Sequence, residues 1–65
     1  MYFVSINKPN SCEVLTNLLT KDLAEEHKAQ KFSELEAEGF VIETANKLRR
    51  GKEIVEILIH YVQEL

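Results

Sequence analysis

Apolar residues gather along the chain in separate stretches, and each stretch has its own period. The first, Tyr2-Phe3-Val4-Ser5-Ile6, is β-branched and aromatic and stops at Asn7-Lys8-Pro9-Asn10. That pattern predicts a strand over 2–6 followed by a turn. In the second stretch Val14, Leu15, Leu18 and Leu19 recur at helical spacing, with Cys12 on the same face. Asn10 followed three residues later by Glu13 fits a capping box, which predicts a helix from about Ser11.

An unbroken helix from there to Glu38 would be roughly 42 Å long at 1.5 Å per residue. A chain of this size has an expected radius of gyration of about 11 Å. The apolar stripe also fades, because alanines are the only apolar residues between Ala24 and Lys31. Asp22 with Glu25 forms a second cap-like pair, so a break near residues 20–22 divides the segment into two helices. A single long helix is the alternative, and it would demand a partner chain. Gly39 ends the second helix as a C′ residue able to take φ > 0. Phe40-Val41-Ile42-Glu43-Thr44 then reads as a second strand, placed to pair in parallel with the first through a right-handed crossover.

The last nineteen residues, KLRRGKEIVEILIHYVQEL, admit two readings. On a helical wheel Glu53, Glu56, His60, Gln63 and Glu64 share one arc, and Ile54, Val55, Ile57, Leu58, Ile59, Tyr61, Val62 and Leu65 fill the rest. As a strand, Val55, Ile57, Ile59 and Tyr61 line one face, while Ile54, Glu56, Leu58, His60 and Val62 line the other. In that case Gly51 turns a hairpin with Arg49, Arg50 and Lys52 at its tip. The helix separates apolar from polar without exception and is the preferred reading; the strand accounts for the β-branched content. The expected fold is therefore α+β: one domain over 1–65, of order β-α-α-β-α, with a two-stranded sheet per chain covered by helices.

Composition narrows the function. Sixty-five residues bury only about 60% of the unfolded surface, and so small a core calls for a disulfide, a metal or oligomerisation. Cys12 is the sole cysteine, so no internal disulfide can form; a reduced, buried thiol suits a cytoplasmic protein. Net charge is −3, which disfavours a general binder of nucleic acid or anionic membrane. The segment MYFVSINKPN lacks a basic n-region and a long apolar run, so it is not read as a signal peptide, and no stretch is long enough to span a bilayer.

The segment LEAEGFVIETANKLRRGKEIVEILI resembles the end of a winged-helix domain: a helix closing in Leu-Glu-x-Glu-Gly-Phe, a strand, a basic turn and a returning strand. The resemblance covers less than half of the chain. It implies a winged-helix-like fold with a C-terminal β-hairpin, and a small DNA-binding regulator using segment 47–52. Glu34, Glu36 and Glu38 on the helix that would read DNA repel phosphate, so this reading stands second.

Few residues offer chemistry. His27 and His60 lie far from each other and from Cys12 in sequence, without metal-ligand spacing. Gly39 and Gly51 are the only glycines, so no phosphate-cradling loop exists. No metal, cofactor or catalytic set is expected. The strongest polar signal is the basic cluster Lys47, Arg49, Arg50 and Lys52, the expected contact for an acidic protein surface or, less favoured, nucleic acid. The apolar arc of the preferred C-terminal helix spans about 200°, too wide for one small sheet, which predicts homo-oligomerisation with Val55, Ile59 and Val62 in the contact. The sequence points to a non-enzymatic cytoplasmic module that acts through protein–protein association.

Overall fold

A computed structural model describes residues 1–63, and of residues 15–19 the backbone alone. Glu64 and Leu65, which the helical wheel divided between two faces, lie outside the described residues, as do the side chains of Leu15, Leu18 and Leu19. The chain forms β1 (Tyr2–Lys8), β2 (Ser11–Leu19), α1 (Lys21–Ala37), β3 (Val41–Ile42), β4 (Lys47–Arg50) and β5 (Glu53–Tyr61). The strands make one antiparallel sheet in the order β2-β1-β5-β4-β3, and α1 lies across one side of it. The result is a slab 17 Å in its thinnest dimension.

This overturns the expected β-α-α-β-α order with its two-stranded sheet, and the winged-helix-like alternative with it. Residues 11–19 form a strand, not a helix. Pro9 and Asn10 connect β1 to β2 with neither residue at positive φ, and proline suits the second position of a type I turn. So short a connection lays the next segment back along β1, where ladder hydrogen bonds decide the conformation that a short apolar run leaves ambiguous. Glu13 consequently does not cap a helix: Lys8 holds its carboxylate across the hairpin at 3.2 Å.

The second of the two helices foreseen upstream is the one that forms. Thr20 caps it, its Oγ1 accepting from the Leu23 N–H at 3.3 Å. At its other end Gly39 takes φ 99°. The Gly39 N–H donates to the Glu36 carbonyl and the Phe40 N–H to that of Leu35, both at 3.0 Å, which is a Schellman motif. Leu35 and Phe40, the apolar pair that accompanies such a stop, are both buried. No parallel crossover follows, since β1 pairs antiparallel with β2 and β5.

Residues 53–61 also form a strand, so the expected C-terminal helix is replaced by the hairpin β4–β5. Gly51 takes φ 61° as the first central residue of the two-residue turn between Arg50 and Glu53, the position that a type II′ turn reserves for glycine. A helix that is apolar nearly all round is, as a strand, one with apolar residues on both faces. β5 occupies the centre of the sheet, and such a strand suits that place. The core is built from Val4 and Ile6 of β1, Val55 and Ile57 of β5, Leu48 of β4, Phe40, and Ala24 and Leu35 of α1. Tyr2, Phe32 and Ile59 pack against it.

Candidate interaction surface

The antiparallel register settles which side chains share a face, because residues directly opposite project together. Val4–Ile59, Ile6–Ile57 and Leu48–Val55 point toward α1. The residues between them point the other way: Phe3, Ser5 and Asn7 from β1; Ile54, Glu56, Leu58 and His60 from β5; Lys47 and Arg49 from β4; Val41 from β3; Cys12 and Val14 from β2. No described helix or strand covers this second face. Phe3, Val14, Ile54 and Leu58 give it apolar surface, and Val14 keeps 47% and Ile54 37% of its area in water.

A polar row runs through the centre of the face. Ser5 Oγ lies 2.7 Å from His60 Nε2, and Asn7 Nδ2 donates to the same hydroxyl at 3.3 Å. The His60 ring stacks on Phe3 with centroids 4.5 Å apart and planes at 11°. A hydroxyl beside an imidazole is the start of a nucleophile–base pair, but a nucleophile must be reached by its substrate, and Ser5 is only 5% exposed. The row satisfies polar groups that the sheet half-buries. In helical projection His60 stood among exposed polar residues; the strand brings it against Phe3 instead.

The basic cluster is dispersed by strand alternation. Lys47 and Arg49 lie on the uncovered face, Lys47 4.0 Å from Glu56 and Arg49 paired with Glu43. Arg50 points to the opposite side, where Nη1 donates to the Glu38 carbonyl at 2.9 Å and the guanidinium lies 4.4 Å from the centre of the Phe40 ring. Arg50 Nη2 also lies 3.4 Å from both carboxylate oxygens of Glu53. Lys52 sits at the exposed hairpin tip. The four residues therefore form no single basic patch, and Arg50 serves the chain's own helix end.

The residues expected in an oligomer contact are likewise separated. Val55 is buried in the chain's own core and Ile59 packs against that core, so neither presents the outward stripe a helix would have given. Val62 follows β5, with 37% of its area exposed. Cys12, expected buried, is exposed beside Asn7.

Among the described residues, clefts of about 400, 480 and 140 Å3 lie between helix and sheet. The first is floored by Phe32, Ala29, Ala45 and Ile59, with Glu25 and Lys28 at its rim. Lys28 is held there by Asn46 Oδ1 and lies 5.8 Å from the Phe32 ring. Among the described residues no three acidic, histidine or cysteine side chains gather where a metal could bind. No helix of the described residues is long and apolar enough to cross a membrane. Compared with protein-family models, curated proteins and solved structures, the chain matches none.

Proposed function

We propose that the protein is a non-enzymatic association module of the cytoplasm, self-associating through the uncovered face of its sheet. The observation that carries this reading is the set Phe3, Val14, Ile54 and Leu58, apolar side chains on a face that no described element covers. Apolar side chains left open on one face offer a partner surface to bury, here around a central polar row. A second copy suits the face electrically. Its charges stand as couples, Lys47 with Glu56 and Arg49 with Glu43, so two such faces meet without like-charge repulsion. A chain of this length also gains from a partner the buried area that its own core lacks.

Light scattering across a concentration series tests the reading. The wild-type mass is expected to rise to a multiple of the 7.5 kDa chain at high micromolar concentration. Leu58→Glu, which sets a charge in the middle of the face, should lower that mass while circular dichroism stays unchanged. A wild-type protein that remains at 7.5 kDa would refute self-association.

A further inference from the structure

The two edges of the sheet are finished differently. At one edge β3 is two residues long and runs at once into Glu43, whose carboxylate pairs with Arg49. A short, charged edge offers little to a passing strand. At the other edge β2 is nine residues long. From Ser11 to Thr20 it contains no proline or glycine and one charged residue, Glu13, which Lys8 of the same chain already holds. Native sheets blunt edges with charge, proline, bulges or brevity; here the one charge is held within the chain and the register irregularity lies past Leu15, which leaves residues 11–15 unprotected.

The register shows which backbone groups of β2 are free. The turn at Pro9 and Asn10 closes on the pair Lys8–Ser11, and hydrogen-bonded pairs then alternate with non-bonded ones. Ile6–Glu13 is a bonded pair. Asn7–Cys12 and Ser5–Val14 are not, so the N–H and C=O groups of Cys12 and Val14 point away from β1 toward the open edge. No described strand pairs with them.

We propose that β2 pairs antiparallel with β2 of a second copy, about a two-fold axis at Val14. Several features favour a second copy over an unrelated strand. Pairing about Val14 sets its outward N–H and C=O against those of its mate, a closed and self-complementary arrangement. It places the exposed Val14 side chain beside its counterpart. It leaves Glu13 opposite residue 15 of the mate rather than opposite Glu13. The register shift against β1 between Tyr2 and Val4 lies opposite residues 15–19, so the regular part of the edge is residues 11–15 and the pairing is short, centred on Val14. An axis normal to the sheet joins two five-stranded sheets into one of ten strands, with both helices on one side and both uncovered faces continuous on the other. The inference rests on the reading that the chain self-associates but uses a different surface from the face.

The test separates the two surfaces. In the Leu58→Glu protein, where the face is spoiled, edge pairing should leave a dimer of about 15 kDa by light scattering, twice the chain mass. Adding Val14→Pro removes one outward N–H and no bond to β1, and should reduce that mass to a single chain. A Leu58→Glu protein that is already monomeric overturns the edge proposal and leaves the face reading standing; a folded double variant that is still dimeric overturns the edge proposal and counts against the face as well. Should Val14→Pro lose its β-sheet circular dichroism, cysteine linkage decides. Val14→Cys in a Cys12→Ser background should oxidise to a covalent dimer, since bonded antiparallel pairs have Cα atoms about 5.5 Å apart. Cys12 of the unchanged protein should stay unlinked, because the two copies would lie roughly 13 Å apart along the strands. Equal linkage at the two positions, or none at residue 14, overturns the proposal.

Discussion

Arg50 and Phe40 join the last turn of the helix to the β4–β5 hairpin: the guanidinium lies 4.4 Å from the ring centre and donates to the Glu38 carbonyl at 2.9 Å. One side chain thus supplies a cation over an aromatic face and a donor at the negative end of a helix.

Arg50→Ala should therefore destabilise the fold by about 1–2 kcal/mol, from the lost cation–π contact and the lost charge-assisted hydrogen bond. For a domain of this size that lowers the midpoint of thermal unfolding by several degrees, at roughly 4–8 °C per kcal/mol. Arg49→Ala, which removes an ion pair open to water, should cost about 0.5 kcal/mol or less. Equal midpoints for the two variants, followed by circular dichroism, would show that Arg50 does not clamp the helix end.

Both glycines are held by backbone conformation, not by space. A Cβ at Gly39 would meet the Arg50 Cδ at 3.6 Å, an ordinary contact, and one at Gly51 would meet nothing within 4 Å. Ala at either position should cost about 1 kcal/mol, because φ is 99° and 61° there. A chain of 65 residues is within reach of chemical synthesis, which allows a sharper comparison. D-alanine at residue 39 tolerates positive φ and should recover the loss in urea unfolding. An equal loss for both enantiomers would point to steric crowding instead.

Ser5→Ala should cost about 1 kcal/mol, since it leaves His60 without the hydroxyl at 2.7 Å and Asn7 without its acceptor. His60→Ala should cost more, because stacking on Phe3 is lost together with the hydrogen bond. Urea denaturation of the two variants and their double mutant measures the coupling. A coupling near zero would mean that the pair contributes proximity without energy.

Much of the local punctuation was legible. The strand at Tyr2, the turn at Pro9, the helix start near Thr20, the stop at Gly39 and the onset of β3 all rest on residues whose own backbone preferences decide them. The errors fall on two apolar stretches, 11–19 and 53–63. Val14, Leu15, Leu18 and Leu19 match a helical stripe, yet the same residues can occupy a strand, and the two-residue turn before them is what makes β1 their neighbour. For residues 53–61 the helical wheel separated apolar from polar perfectly and was still misleading. Ile54, Val55, Ile57 and Ile59 are β-branched, and the strand reading that this content favoured was the correct one.

The candidate surface was less legible than the fold. Clustering in sequence made Lys47, Arg49, Arg50 and Lys52 look like one patch, but strand alternation sends Arg50 to the face opposite Lys47 and Arg49. The row Asn7–Ser5–His60 joins residues 55 positions apart and left no sequence signal. By itself the sequence determined the turn at Pro9, the break near residues 20–22 and the stop at Gly39, because these act through local torsions and hydrogen bonds, whereas the Gly51 turn belonged only to the less favoured strand reading. The tertiary structure alone decided which conformation the apolar stretches take and which of their faces stay open. Those outcomes depend on cross-strand partners distant in sequence, and a residue's own periodicity carries no information about a neighbour it has not yet met.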